Sequence, residues 1–422
     1  MVGCFAAKTS RNVFDFIGTG AAPFVIAPPV ILIYGIYLDD GFLSTVITVL
    51  VGAYMLYKCA SMMTTFNIEH GASTVDVIVA SFGRRGALVC ALVICGACMN
   101  WLLWQIRFCT QIFHNSYVLS DFIFPTLLGK KFFTLMTFLC LLPSFLKTNH
   151  NVFMTRIVIP LLFISFFIVV FASPHKNIET YTFTTKQNIN FSNISIFFNS
   201  WLLHALGVHS LYSGQSLTPR SQRIIAFLFL IVLPLVCGIV ILRGVDHPLS
   251  GDIDWLTKNI GAFPITYAIY IFCGGLSISY INIFYCADIL SSLFNFRSRS
   301  QLASLLGVAT YLFIGTTYEI ENTFGPVELF NIVTVSTVVI IALQTTSNAH
   351  ILHSNIILQK RNRLALFLAT LVGLVTQTGY VSITGEPSFD AGLAAFALST
   401  YYSRSRFRNP KPREPERPYT SF

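Results

Sequence analysis

Two side chains within one long apolar segment are the residues best suited to bind a small molecule. Trp101 and Gln105 lie four residues apart in the apolar run 87–113, so on a helix they share one face. With about 27 residues, such a helix would be roughly 40 Å long, enough to cross a bilayer. An indole offers a wide aromatic surface, and a primary amide both donates and accepts hydrogen bonds. Together they suit a flat, polar heterocycle.

The same two residues also fit a purely structural role. Tryptophan is common at membrane interfaces, and a glutamine can form hydrogen bonds between neighbouring transmembrane helices. The spacing of Trp101 and Gln105 alone leaves both roles open.

The composition indicates a polytopic membrane protein. Of the 422 residues, 54% are hydrophobic and only 11% charged, and the mean hydropathy is +0.67. Soluble domains are about a quarter charged. Most of the ten cysteines lie in apolar runs, so they resemble small core residues rather than a disulfide framework. The pair Cys95 and Cys98 is therefore expected in helix packing rather than in a redox or metal site. The N-terminal residues lack the pattern of a cleaved signal peptide.

Apolar segments predict an all-α protein with twelve transmembrane helices. The segments are 14–37, 42–63, 87–113, 132–147, 153–172, 194–213, 222–243, 263–294, 299–317, 327–351, 363–381 and 387–402. No nucleotide-binding motif and no metal-ligand spacing accompanies them, and no group of polar residues has the pattern of a catalytic site. We therefore expect neither an ATP-driven pump nor an enzyme.

The basic residues predict the orientation of these helices. If the N-terminus is cytoplasmic, most lysines and arginines lie in inner loops, among them Arg84, Arg85, Arg220 and Arg223, while most acidic residues lie in outer loops. Both termini then lie in the cytoplasm, and the protein is expected in the cytoplasmic membrane. The net charge of +9 reflects this orientation rather than nucleic-acid binding. The basic, proline-rich tail is expected to be disordered and weakly attracted to anionic lipid.

The first apolar segment carries prolines that favour an interrupted helix. In Ala27-Pro28-Pro29 each proline removes a helical hydrogen-bond donor, which leaves the carbonyls near Phe24 and Val25 without their usual partners. Such backbone is tolerated in a membrane where it faces protein or a water-filled cavity. Broken helices supply substrate and ion ligands in inverted-repeat transporters, although a simple proline kink fits these residues equally well.

A longer motif resembles a known family. Gly71 is followed after nine residues by Ser81-Phe-Gly-Arg-Arg-Gly-Ala87 and then by the helix with Trp101 and Gln105. This arrangement resembles the nucleobase:cation symporter family, which includes cytosine, purine, allantoin and hydantoin permeases. The resemblance implies that Trp101 stacks on the substrate ring and that Gln105 hydrogen-bonds its edge.

The resemblance also implies a fold, a LeuT-type 5+5 inverted repeat with two peripheral helices. On this sequence the parts are a cytoplasmic N-terminal tail, two five-helix repeats separated by an external loop, a peripheral pair and a basic cytoplasmic tail. Their ranges are 1–13, 14–172, 173–193, 194–351, 352–403 and 404–422.

Further substrate contacts follow from the resemblance. Ala27 and Pro28 lie at the expected break of the first helix. In the family the sixth helix supplies a second aromatic to the substrate, but here that position falls near Ala205 or Leu206. His204 either faces the cavity or bonds to a neighbouring helix.

The eighth segment departs from the family at its coupling site. Asn282 is the expected polar contact to the substrate. Two neighbouring hydroxyls would suit a small, hard cation together with carbonyls of the first helix, such as those of Phe24 and Val25. Ser279 has Ile278 beside it, so one hydroxyl is missing, and coupling to Na⁺ or to H⁺ stays open. Asp288 is a candidate for proton coupling, or a charge exposed at the inner end of its helix.

These features predict a secondary active transporter that imports a nucleobase, such as cytosine or a purine, or a related heterocycle. It needs no organic cofactor, only a coupling ion, and its partners are the heterocycle and the lipid bilayer. Two alternatives stay open. One is an amino-acid or amine permease on the same fold, and the other is a membrane sensor or scaffold that has lost transport.

Overall fold

The structure, a computed structural model, describes residues 13–70, 74–117, 135, 137–145, 153–172, 190–207, 219–243, 264–294, 298–316, 325–347, 356–379 and 381–407. Within these ranges the regular elements are all helical. In chain order they are α1 (Val13–Ala21), α2 (Ala27–His70), α3 (Thr74–Tyr117), α4 (Leu142–Phe145), α5 (Ile159–Ala172), α6 (Phe191–Gly207), α7 (Pro219–Phe227), α8 (Leu233–Arg243), α9 (Pro264–Phe294), α10 (Arg299–Thr316), α11 (Gly325–Ser347), α12 (Ile356–Gln377) and α13 (Pro387–Phe407). Single π-helical turns, Met154–Val158 and Leu228–Val232, precede α5 and α8.

Five of the described helical segments are long and apolar enough to cross a membrane. They are Asp40–Thr65, Thr74–Ile106, Met154–Phe171, Arg220–Leu242 and Thr266–Phe294. The last of these, in α9, is 89% buried, against 39–44% for the other four. Because α9 is covered on nearly every side, it forms the centre of the bundle. The all-helical prediction is confirmed, and the count of twelve spans stays a prediction.

Glycines with positive φ interrupt α2 and α3. At Gly41 (φ 79°) α2 divides between the first two predicted segments. At Gly83 (φ 72°) α3 divides into a short first part and a long second part that contains the predicted segment 87–113. Residues with a Cβ rarely adopt this left-handed conformation, so glycine is favoured at both breaks.

The first helix is broken a few residues before the double proline. α1 ends at Ala21, a 3₁₀ turn covers Ala22–Phe24, and α2 begins at Ala27. Residues 22–26 are almost completely buried. Proline is tolerated in the first turn of a helix, where its missing N–H has no intrahelical acceptor. Pro28 and Pro29 therefore start α2 rather than kink it.

The central helix α9 packs antiparallel against α3. The thiol of Cys286 donates to the carbonyl of Cys95 (3.7 Å), and the thiol of Cys95 reaches the carbonyl of Cys286 (4.0 Å). Towards the other end of α3, the thiol of Cys109 lies near the phenol of Tyr270. The cysteine pair Cys95 and Cys98 is thus buried in the packing of two helices.

The contact between α2 and α6 depends on a glycine. A Cβ on Gly52 would overlap the ring of Phe197, which itself lies 4.6 Å from the ring of Trp201. We expect Gly52→Ala to lower the free energy of unfolding by about 1–3 kcal/mol, because it overpacks this interface. Gly238 in α8 is the matched control, since a Cβ there meets no atom of the described residues within 4 Å.

Gly238→Ala should leave thermal stability unchanged or raise it slightly, because alanine favours helix. The comparison is a melting curve of each purified variant in detergent. Equal melting temperatures for the two variants would contradict the packing described for Gly52.

The turn before α13 is organised by one carboxylate. Asp390 accepts hydrogen bonds from the backbone N–H groups of Ile383 and Thr384 (both 2.9 Å) and from the hydroxyls of Thr376, Ser382 and Thr384 (2.8–3.1 Å). The ordered turn presents Ser388, whose hydroxyl bonds to Ser195 (2.9 Å) and Asn199 (3.0 Å) of α6. The turn therefore helps to fix the N-terminal half of α6.

Asp390→Asn is expected to loosen this turn. The new amide would direct N–H groups towards donors, at a cost of about 1–3 kcal/mol. Hydrogen exchange should then accelerate at the amides of Ile383 and Thr384. Asp76→Asn, at an exposed carboxylate in the first turn of α3, is the control. Unchanged protection of both amides in the Asp390 variant would disprove the assigned role.

Candidate functional site

Two side chains from distant helices hold the break in the first helix. The indole N–H of Trp201 in α6 donates to the carbonyl of Pro23 (3.2 Å), and the hydroxyl of Tyr270 in α9 donates to the carbonyl of Val25 (2.8 Å). Both side chains are buried. The break is thus a fixed feature, joined to α6 and α9 by hydrogen bonds that replace those of a continuous helix.

The residues of the break are tightly packed. The ring of Phe24 meets the ring of Phe229 edge-on, with centroids 5.4 Å apart. A Cβ on Gly274 of α9 would lie 3.7 Å from the side chain of Ile26. Ala27, the first residue of α2, is 5% exposed. The structure describes the backbone of Pro28 but not its side chain.

The antiparallel packing of α3 on α9 sets the depth of the predicted substrate contacts. With Cys95 beside Cys286 and Cys109 near Tyr270, Trp101 falls at the level of Ser279 and Gln105 at the level of Gly275. Trp101 and Gln105 therefore lie at about the depth of the broken first helix, which contacts α9 at Tyr270 and Gly274.

Both of these α3 side chains carry a buried polar atom that lacks a partner. Trp101 is partly buried, and its ring packs edge-on against Trp104 at 5.4 Å. Gln105 is 1% exposed. Among the described residues, none hydrogen-bonds to Nε1 of Trp101 or to Oε1 of Gln105. Among the described residues, this donor and this acceptor on one helix face are therefore available to a polar ligand or to water.

The predicted polar residues of α9 are turned towards their own helix. The amide of Asn282 donates to the carbonyl of Ile278 (3.0 Å), and the hydroxyl of Ser279 donates to the carbonyl of Gly275 (3.0 Å). Both residues are at most 2% exposed. Each keeps acceptor oxygen atoms after donating these bonds.

On α6 no aromatic residue occupies the position that the resemblance assigns to the second aromatic. Ala205 and Leu206 are fully buried, and His204 is 4% exposed with Nδ1 unpaired among the described residues. Instead an aromatic approaches from the facing helix, since a Cβ on Gly207 would lie 3.3 Å from the ring of Tyr285. Residues 208–218, which follow α6 in the chain, lie outside the described residues.

Asp288 lies apart from the break. It is nine residues beyond Ser279, roughly 13 Å along the helix, and forms an ion pair with Arg299 at 3.4 Å. The structure therefore joins Val25 and Ile26 to Tyr270 and Gly274 of α9 but does not bring Asp288 to them.

Sequence reasoning missed three residues that shape this site, Trp201, Tyr270 and Tyr285. The residue types of Trp201 and Tyr270 could have suggested their role, because a buried indole or phenol needs an acceptor and the broken helix offers free carbonyls. Tyr285 was recognisable only by its neighbour, since Gly207 permits the ring to approach.

Comparisons with known proteins agree with this architecture. No family model and no curated protein matches the sequence. Among solved structures, Mhp1, a nucleobase-cation-symport-1 family transporter in a closed conformation with bromovinylhydantoin bound, is similar with a TM-score of 0.66 at 13% identity, over 94% of this chain and 93% of that one. The inward-facing conformation of Mhp1 has a TM-score of 0.59 at 15% identity, over 94% and 92%.

A second transporter is similar to a lesser degree. The substrate-bound, outward-open state of a Na⁺-coupled sialic acid symporter has a TM-score of 0.58 at 13% identity, over 92% of this chain and 89% of that one. The resemblance found in the sequence is therefore confirmed at the level of structure. This chain has the fold of a nucleobase-cation-symport-1 family transporter.

Proposed function

We propose that the protein is a secondary transporter, an ion-coupled symporter that imports a nucleobase or a related flat heterocycle across the cytoplasmic membrane. The observation that carries this proposal is the pair of buried, unpaired polar atoms on Trp101 and Gln105, at the depth of the broken first helix. The fold supports it, since Mhp1, which shares it, binds a hydantoin. The ligand leaves the protein chemically unchanged, so neither an enzymatic step nor an organic cofactor is involved.

The recognition chemistry follows from the two side chains. The ligand ring stacks on the indole of Trp101, while a ring N–H donates a hydrogen bond to Oε1 of Gln105. Cytosine, the purines and hydantoin all offer a ring N–H on a flat ring. Asn282 reads a further ligand edge with the oxygen of its amide.

The membrane arrangement completes the proposal. The chain crosses the bilayer twelve times as two inverted five-helix repeats followed by two peripheral helices, with both termini in the cytoplasm. Alternating access occurs by movement of the elements around the broken first helix relative to α3 and α9, and the ligand stays near the bilayer midplane. Because Trp201 and Tyr270 bond to the break from different helices, relative movement of α6 and α9 is transmitted to it.

A thermal-shift screen tests the proposed ligand class. Purified protein is melted with cytosine, purines, uracil, hydantoin or allantoin, each with and without sodium, and with sialic acid and amino acids as competing classes. A ligand that binds the folded state raises the melting temperature. We expect a rise with at least one flat heterocycle and none with amino acids. Stabilisation by an amino acid alone would point instead to a permease of that class.

Gln105→Ala tests the polar half of the site. It should weaken binding of the selected heterocycle by roughly 1–3 kcal/mol, about 5- to 150-fold, because a ring N–H is left without an acceptor. Gln105→Glu is the matched control, since it keeps an acceptor at the same place. Isothermal titration provides both affinities, and an unchanged affinity in the alanine variant would remove Gln105 from the site.

A further inference from the structure

The helices α3 and α12 run side by side and in parallel. A Cβ on Gly83 would meet the carboxamide of Gln359, and a Cβ on Gly86 would meet the aliphatic stem of Arg363. A step of three residues along α3 thus corresponds to a step of four along α12, in the same direction. The long part of α3 and the start of α12 therefore begin at the same level of the bundle.

Three exposed cations lie at this level. Arg85 belongs to α3, and Lys360 and Arg363 belong to α12. Among the residues that the structure describes, no carboxylate forms an ion pair with any of the three. Arg363 donates only to the carbonyl of Gln359 in its own helix, at 3.3 Å. The positive charge of this cluster is therefore not compensated by the described part of the protein.

The cations lie on one side of the contact between α3 and α12. Arg85 is one residue before Gly86, and Lys360 is one residue after Gln359, so each is rotated by about 100° from the contact, in opposite senses. Two parallel helices that face each other turn in the same sense, so opposite rotations lead to the same side. Arg363, rotated by only about 40° from Gln359, lies between the other two.

The same side is apolar further along both helices. It continues with Val89 and Leu92 on α3 and with Phe367 and Leu371 on α12, which are 42–60% exposed. These residues lie roughly 4–12 Å beyond the contact of Arg363, at 1.5 Å per residue. A cationic end followed by an exposed apolar groove matches a phospholipid, whose phosphate is anionic and whose acyl chains are apolar.

We propose that the groove between α3 and α12 binds an anionic phospholipid, with its phosphate at Arg85, Lys360 and Arg363 and an acyl chain along the apolar side. Guanidinium and ammonium groups pair with phosphate, and basic pockets between transmembrane helices on the cytoplasmic side bind anionic headgroups. The proposed orientation places this end of both helices at the cytoplasmic surface. By contacting both helices, the lipid stabilises the position of α12 against α3. Gly86 is fifteen residues, roughly 22 Å, before Trp101, so this site is separate from that of the heterocycle.

The test is the thermal stability of the purified full-length protein in detergent, titrated with phosphatidylglycerol or with phosphatidylcholine. The two lipids carry the same acyl chains, so they differ only in the headgroup, and inorganic phosphate serves as a third additive to test for a free anion. Arg85→Gln and Lys360→Gln each remove one cation of the groove. Arg84→Gln is the matched control, because Arg84 is an exposed arginine about 160° around α3 from Gly86.

We expect phosphatidylglycerol to raise the melting temperature of wild type saturably, and phosphatidylcholine and phosphate to leave it unchanged. The lipid concentration that gives half of the rise should increase about fivefold in Arg85→Gln and in Lys360→Gln, and stay at the wild-type value in Arg84→Gln. Each rise is measured against the same variant without lipid, so a change in basal stability does not affect the comparison.

Three results would overturn the proposal. Equal rises with the two lipids would show that the headgroup charge is not recognised. An equal rise with inorganic phosphate would show that a free anion, not a lipid, occupies the cations. Equal weakening in Arg84→Gln would show that the lipid responds to the overall positive charge of this surface and not to the groove.

Discussion

Replacing Trp201 by alanine should lower the free energy of unfolding by about 3–5 kcal/mol, the largest effect expected of any single substitution in the site. Trp201 is fully buried, and its ring lies 4.6 Å from that of Phe197. The substitution therefore leaves a large cavity between α6 and the first helix. It also removes the N–H that donates to the carbonyl of Pro23, so that the break loses a side-chain partner.

Trp201→Phe separates the two contributions. It keeps an aromatic ring in the cavity but removes the N–H, so we expect a smaller loss of about 1–3 kcal/mol from the unpaired carbonyl. Thermal melting in detergent orders the variants, and ligand affinity measured below the melting temperature shows whether the break still shapes the site. An alanine variant as stable as wild type would show that the first helix does not depend on Trp201.

Trp101→Ala should weaken ligand binding by roughly 1–3 kcal/mol, about 5- to 150-fold. Stacking of a base on an aromatic side chain contributes about 1–3 kcal/mol, and alanine offers no surface on which the ring can stack. The residue is only partly buried, so the fold should lose little stability. Trp101→Ala should thus reduce ligand affinity more than stability, whereas Trp201→Ala should reduce stability more than ligand affinity.

Trp101→Phe is the control for ring stacking. Phenylalanine keeps a smaller aromatic surface than the indole, so the affinity of this variant should fall between those of wild type and alanine. Titration calorimetry with the heterocycle found in the screen measures all three. If the alanine variant bound as well as wild type, the ligand would not lie on this indole.

The sequence predicts the general fold because its main signals are local. The motif from Gly71 to Ala87 and the helix that follows it were sufficient to suggest the correct architecture. Trp101 and Gln105 share a helix face by spacing alone. The prolines at 28 and 29 indicated an irregular first helix, and the structure places the break just before them because proline begins a helix more readily than it interrupts one.

The partners of the break required tertiary structure. Trp201 and Tyr270 are 178 and 245 residues away from the carbonyls that they bind, and nothing in their local sequence identifies those acceptors. The second aromatic residue of the site likewise could not be identified from local sequence. The resemblance assigns it to a position near Ala205 or Leu206 on α6, whereas the ring that approaches α6 is Tyr285 of α9, through the space that Gly207 leaves open.

Uptake of a labelled heterocycle into proteoliposomes, by wild type and by Trp101→Ala in parallel, measures the central proposal most directly. Transport through a site built on this indole predicts accumulation by wild type when an ion gradient is imposed and little by the variant at the same ligand concentration. Equal accumulation by both proteins would move the ligand away from Trp101. No accumulation of any candidate heterocycle by wild type would contradict transport and favour a membrane sensor or scaffold.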